Sequence, residues 1–207
     1  LPGYQYDSPL PGNPNLDSQT GEISYNSNTS GHFVTVVRVD AYKCGQKVAS
    51  IYREIQAVLI SCPTMPNGAN NNPPTITPPV GSQTWTTIIN PSSGLPSYST
   101  TVNAGALVEF NVIGEDLDLY STNPIIEQDI TMEISGGQMA NDYITDTDCD
   151  NPPCATFVDA AGAAPPISSP SLVSGTFRWQ TSCNQILSDA GCGATTNIFT
   201  FLIKVYD

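Results

Sequence analysis

Charge is scarce in this chain. Asp, Glu, Lys and Arg make up 12% of its 207 residues, roughly half the usual share. Solubility therefore rests on Ser, Thr, Asn, Gln and Gly. Positive charge is scarcer still: six Lys and Arg stand against nineteen Asp and Glu, a net charge of −13. Such a surface repels phosphate backbones and anionic lipid, so nucleic acid and acidic membranes are excluded as partners. The only histidine is His32, in Ser30-Gly31-His32-Phe33. A Ser-His-Asp triad needs a histidine placed between acid and nucleophile; at a strand start, a solvated turn histidine is expected instead. With one histidine, a zinc site of His/Cys type would need reduced cysteines. The chain has no run of about 18 apolar residues, so no membrane span is expected. No segment carries a helical stripe. No catalytic residue is assigned, and the expectation is that the chain is not an enzyme.

Cysteine and proline are present. There are six cysteines and eighteen prolines. An even cysteine count in an Asn/Pro-rich context indicates disulfides and an oxidising compartment. The candidates are Cys44, Cys62, Cys149, Cys154, Cys183 and Cys192. An extended strand between Cys44 and Cys62 would hold them apart, so a direct pair needs the chain to fold back. Local pairs Cys149–Cys154 and Cys183–Cys192 compete with cross-loop pairs such as Cys154–Cys183. The turn Asn151-Pro152-Pro153 makes a small local ring feasible. C-x-x-C is absent, which favours stapling over redox chemistry.

Periodicity points to strands. Phe33 to Tyr42 is Val-rich, Cys44-Gly45-Gln46 reads as a hairpin tip, and Val48 to Ser61 returns with Ile51, Ile55, Ala57 and Leu59 on one face. Glu22 to Asn26 is a shorter strand after a loop over residues 1–15. Cys62 to Pro79 holds six prolines and reads as a stiff connector. Further strand signals lie at Thr75 to Thr77, Thr84 to Ile89, Ser99 to Val102, Leu107 to Ile113, Asp129 to Ser135, Ala155 to Val158, Leu172 to Thr181 and Asn197 to Tyr206. In Asp129 to Ser135, Ile130, Met132 and Ile134 point one way. In Phe199 to Val205, Phe199, Phe201, Ile203 and Val205 share a face. This is period two, and short strands between turn clusters predict an all-β sandwich. The expected organisation is a partial sandwich over 1–62, a connector over 63–79 and a second sandwich over 80–207. Three strands are too few for a closed sandwich, so the first is expected to be incomplete. The chain opens on Leu1-Pro2-Gly3, stops on a strand-like run, and reads as a piece of a longer polypeptide.

The segment Leu16-Asp17-Ser18-Gln19-Thr20-Gly21-Glu22-Ile23-Ser24 reads as a turn launching a strand, with Gly21 free to take positive φ. It resembles the LD-x-x-TG-x-I-S segment of cadherin-like and related immunoglobulin-like repeats. The segments NNNPPTITPP, VNAGALVEFNVIGEDLDL, DITMEISGGQM, PPCATF, GTFRWQTSCNQI and FTFLIKVYD look like repeats of large Bacteroidetes surface proteins of the gliding-adhesin type. Those are exported by the type IX secretion system. The stretch Ser121 to Gln128 and the extra cysteines depart from the simplest cadherin-like pattern. The resemblance implies an extracellular, multi-domain, filamentous adhesin. Its expected partners are neighbouring repeats of the same chain, surface polysaccharide or other surface proteins.

Among candidate sites, Glu115-Asp116-Leu117-Asp118 follows a strand. Hard cations take several oxygens, and an acidic turn supplies them within a few residues, so calcium is the candidate cofactor. The resemblance places another ligand at Asp207 and a comparable position at Asp40. Asp142, Asp146, Asp148 and Asp150 form a second acidic cluster. For each, a solvated acidic loop is the alternative. A glycosidase would need paired carboxylates in a cleft lined by aromatics; Trp179 is predicted core, and Trp85 is either core or a platform for glycan stacking. Asn28-Thr29-Ser30 matches the N-glycosylation sequon. The function expected is a structural and adhesive segment of a bacterial surface protein. The alternatives are a carbohydrate-binding accessory module of a secreted enzyme, or a fibre subunit completed by strand addition.

Overall fold

The computed structural model describes residues 12, 14–16, 21, 23–24, 27, 29–60, 68, 70–89, 94–186 and 197–207. Among them the chain is all-β. The strands in order are β1 (Asn15–Leu16), β2 (Ile23–Ser24), β3 (Gly31–Lys43), β4 (Gln46–Leu59), β5 (Thr75–Ile76), β6 (Val80–Gly81), β7 (Thr86–Ile89) and β8 (Pro96–Ser99). Then come β9 (Leu107–Glu115), β10 (Leu119–Thr122), β11 (Ile125–Glu127), β12 (Asp129–Gly136), β13 (Thr156–Val158), β14 (Ile167–Pro170), β15 (Leu172–Gln180) and β16 (Phe201–Tyr206). One 3-10 turn spans Cys183–Gln185. The chain divides into two compact units. One comprises Leu1–Cys62, Thr87–Ser97 and Ala190–Cys192, the other Pro63–Thr86, Tyr98–Asp189 and Gly193–Asp207.

In the first unit, β3 and β4 form a long antiparallel ribbon. Its tip is Cys44 and Gly45, at φ 50° and 78°. Positive φ at both positions matches the right-handed twist of the flanking strands. The register shifts between Ala41 and Tyr42, which leaves Val48 as an extra residue in β4; this is a bulge. Of the LDSQTGEIS turn, Asp17 to Thr20 and Glu22 lie outside the described residues. Its ends pair as β1 and β2, and Gly21 has φ 77°.

The second unit is a sandwich. One sheet runs β14-β12-β16; the other runs β13-β15-β9-β5, with β6 also on β9. Alternation buries one side of each long strand. Val108, Phe110 and Val112 of β9, Ile130, Met132 and Ile134 of β12, and Val173, Phe177 and Trp179 of β15 share one core. Rings link the two sheets. Phe110 stacks on Phe177 with centroids 4.7 Å apart, and Phe177 meets Phe201 edge-on at 4.8 Å. Gly175 interrupts the large residues of β15 because a Cβ there would lie 2.1 Å from the Phe157 ring.

Three sequence expectations change. The strand placed at Ser99 to Val102 lies at Pro96–Ser99, where β7 provides its ladder. The stretch Ser121 to Gln128, read as an insert, folds largely into the β10–β11 hairpin. The strand β14, with Ile167 as its only buried residue, was not anticipated.

Candidate functional site at one end of the sandwich

The second unit carries a closed ring of polar contacts beyond the end of β9. Asp116 continues the inward parity of Val108, Phe110 and Val112, so its carboxylate turns into the protein. One of its oxygens, Oδ1, accepts the Asp118 amide at 2.8 Å. The Asp118 carboxylate in turn accepts the Asn72 amide at 2.5 Å and Asn72 Nδ2 at 3.1 Å. The neighbouring Asn71 donates through Nδ2 to Asp207, and Gln128 Nε2 donates to the same Asp207 oxygen. Backbone closes the circuit. The Gln128 carbonyl accepts from Ser171 at 2.9 Å, and the Ser171 carbonyl accepts from Asp116 at 2.8 Å.

Three oxygens in this ring have no donor: Asp116 Oδ2, Asn71 Oδ1 and Gln128 Oε1. Asp116 and Gln128 are each 4% exposed. A buried acceptor left alone costs about 1–3 kcal/mol, and more when it is charged. Of the five buried side-chain polar atoms without a partner among the described residues, three lie here. Carboxylate and carboxamide oxygens are the ligands that hard cations take. Among the described residues, no three His, Cys, Asp or Glu side chains converge as a metal centre of those types alone; here the carboxamides are part of the donor set.

Of the four residues singled out in sequence, the ring contains Asp116, Asp118 and Asp207 and leaves out Glu115. The parity that turns Asp116 inward exposes Glu115, and the backbone carbonyl of Glu115 accepts from Thr75 Oγ1 at 3.3 Å. Sequence reading missed Asn71, Asn72 and Gln128. The only available signal was the run Asn70-Asn71-Asn72 ahead of two prolines, where polar side chains crowd a stiff segment.

The other acidic positions are engaged elsewhere. Asp40 accepts from Ser50 Oγ at 2.6 Å, with Arg38 Nη2 at 3.3 Å and Lys47 Nζ at 4.0 Å. The Ser50 hydrogen bond leads in holding its carboxyl below the usual range. Asp142 accepts the Thr145 hydroxyl at 2.6 Å and the Thr145 and Ile144 amides at 2.7 and 2.8 Å. Those bonds, the Thr145 hydroxyl first, lower its pKa. Asp148 accepts the amides of Asn141 and Asp142 at 2.9 and 3.1 Å. The Asp146 backbone carbonyl accepts the Cys154 amide, and Asp150 lies within the disulfide loop. Asp142 and Asp148 therefore act as turn caps that fold this loop.

Cys149 and Cys154 are bonded, with Cα atoms 5.7 Å apart. Their loop is pinned from inside. The Pro153 carbonyl accepts from Gln185 Nε2 at 2.6 Å, Trp179 Nε1 at 2.9 Å and Gln138 Nε2 at 3.2 Å. Cys183 is a free, exposed thiol, so neither Cys183–Cys192 nor Cys154–Cys183 forms; Cys154 is already taken by its near neighbour. Cys44 is disulfide-bonded, while Cys62 and Cys192 lie outside the described residues. Trp85 is partly buried, its ring 5.0 Å from that of Phe110 at 82°, which places it against the core. His32 is exposed in β3. Asn28 of the sequon lies outside the described residues. No helix among them is long and apolar enough to cross a membrane. No family model, curated protein or solved structure matches the chain.

Proposed function

We propose that this chain is a structural and adhesive segment of a large extracellular protein of a bacterial surface, built from sandwich repeats. Its second unit binds a hard divalent cation of calcium's kind in the Asp116–Asp118–Asp207 ring. The observation that carries the cation reading is the set of three unpartnered oxygens, two of them on side chains almost wholly buried. A cation held by Asp116 and the neighbouring carboxamide oxygens would give them a partner that the protein does not supply. A flexible mixed set of carboxylates and carboxamides suits calcium, whereas magnesium demands near-octahedral geometry and keeps its water.

Several features support the structural role. The core is apolar and includes Phe110, Phe157, Phe177 and Trp179, a disulfide staples one loop, and prolines limit unfolded-state freedom. Six Lys and Arg leave few sites for trypsin. Affinity for a surface target would come from many repeats acting together. The type IX-secreted adhesins that its strands resemble are built in that way.

Calcium titration of the whole chain tests the cation site. At calcium a hundredfold above its Kd, the second unit should gain about 2.7 kcal/mol, read as a higher melting temperature. The gain should vanish in Asp116→Asn. Equal melting temperatures in calcium and in chelator would overturn the site. Surface display is tested separately, by antibody labelling of intact source cells; labelling that requires permeabilisation would overturn it. An accessory carbohydrate-binding role has one feature in its favour, a groove of about 340 Å³ lined by Glu133, Tyr143, Pro165, Pro166 and Lys204. Glycan-array binding abolished by Tyr143→Ala would support that role over the adhesive one.

A further inference from the structure

The polar ring draws its side chains from both sheets of the sandwich. Asn71 and Asn72 lead into β5, and Asp116 and Asp118 follow β9, on the sheet β13-β15-β9-β5. Gln128 precedes β12 and Asp207 follows β16, on the sheet β14-β12-β16. Two contacts of the ring cross between the sheets. Asn71 and Gln128 both donate to one Asp207 oxygen, which sets carboxamides from opposite sheets against the same carboxylate. Ser171, where the chain crosses from β14 to β15 at φ 56°, donates to the Gln128 carbonyl and accepts from the Asp116 amide.

The apolar core stops just short of this ring. At Gly114 a Cβ would lie 2.9 Å from Val205 of the other sheet and 3.1 Å from Val173, so β9 and β16 approach closely there. The next inward position after Gly114 is Asp116. Past Gly114 the sheets meet through polar groups, among them three buried oxygens without a donor. The opposite end is fastened differently. There the Pro153 carbonyl takes Gln138 Nε2, just after β12, and Trp179 Nε1, on β15, and the Cys149–Cys154 disulfide closes its loop.

The least anchored element at the ring is β5. It has two residues, both exposed, and two pairs with β9, Thr75↔Glu115 and Ile76↔Gly114. The Thr77 amide adds one bond to the Ile113 carbonyl at 2.9 Å. Ahead of β5, Asn72 holds Asp118 and Asn71 holds Asp207. Segments with few buried contacts open locally at low free energy, so the ring decides whether this stretch stays down.

We propose that the cation clamps the two sheets together at this end, and that its binding and release switch residues 71–77 between docked on β9 and detached. The inference rests on the cation site proposed above. Opening the ring without a cation brings water to the three lone oxygens, which relieves the cost of burying them unpaired. With the cation in place, the same opening gives up its binding. Occupancy therefore sets how often this end opens, while the disulfide end is unaffected.

Amide hydrogen exchange of the whole chain in calcium and in chelator tests this, alongside calorimetric titration with calcium. At calcium a hundredfold above its Kd, amides that exchange through opening of the ring should slow by about a hundredfold. These are Asn72 and Thr77 on one sheet, Ser171 at the crossover, and the Thr131–Tyr206 pair on the other. The Ile144 and Thr145 amides, which Asp142 caps ahead of the disulfide loop, should not change. A broad-specificity protease should cut within residues 72–79 in chelator and spare them in calcium. Asp116→Asn should abolish both effects of calcium. Calorimetry that shows no binding overturns the cation site and the clamp together. Bound calcium that leaves exchange at Ser171 and the Thr131–Tyr206 pair unchanged, or that slows Ile144 and Thr145 as much as Ser171, overturns the clamp and leaves the site standing.

Discussion

The contact between Gly175 and Phe157 gives a sharp test of how the sandwich is packed. Phe157 is 0% exposed, and its ring fills the space above Gly175, two residues from its partner Phe177 on the same face of β15. A methyl at Gly175 would sit 2.1 Å from that ring. Gly175→Ala should therefore cost about 1–3 kcal/mol through overpacking. Phe157→Ala removes the ring and should cost about 3–5 kcal/mol, the transfer loss plus the cavity left behind. With the ring gone, the methyl has room. It refills part of the cavity, and alanine in a strand is better than glycine by roughly 0.5–1 kcal/mol. The double variant should therefore be no less stable than Phe157→Ala, with a coupling of about −1.5 to −3 kcal/mol between the sites. Urea unfolding followed by tryptophan fluorescence measures this for the correct unit, because both tryptophans, Trp85 and Trp179, belong to the second one. Costs that add to within about 0.5 kcal/mol would refute the packing argument.

Replacing Cys149 and Cys154 together by alanine should destabilise the second unit by about 2 kcal/mol, the loop-closure entropy of so short a ring; urea unfolding with and without reductant checks this, and no difference would count against it. Asp142 should titrate below an ordinary aspartate, and Thr145→Val should move it back up, as read by carboxyl NMR. Because its folded pKa is lowered, the stability it contributes is present above the unfolded pKa and is lost as pH falls through the folded one. The donors that Asn71, Asn72 and Gln128 aim at Asp118 and Asp207 hold the ring together without a cation. The second unit should therefore keep its near-ultraviolet circular dichroism in chelator, unlike metal domains that unfold when stripped; loss of that signal would contradict the reading.

Much of the fold was legible because alternation is a local signal. Ile130, Met132 and Ile134 announce β12, and Phe201, Ile203 and Val205 announce β16, since each buried face repeats every second residue. The β3–β4 ribbon was legible for the same reason, with Gly45 marking its tip. β14 was not, because Ser168, Ser169 and Pro170 contribute nothing to the core and only Ile167 is buried. Its strand character comes from four pairs with β12, a partner about 40 residues away in sequence, and such pairing leaves no trace in local composition.

The site shows a sharper limit of the same kind. A run of acidic residues after a strand reads as one ligand set, yet strand parity divides it. Asp116 is buried and its neighbour Glu115 is exposed. The remaining donors come from a proline-rich stretch that reads as a spacer and from Gln128, which reads as part of an insert. Neither Asn nor Gln adds charge, so no acidic pattern marks them. They matter because their amide groups are the donors that hold Asp118 and Asp207 in the ring. The oxygens of Asn71 and Gln128 are left without a donor and are open to a cation. A ring of this kind is assembled by backbone contacts, from Ser171 to both Asp116 and Gln128. Its chemistry therefore depends on which strands meet, and only the folded sandwich decides that.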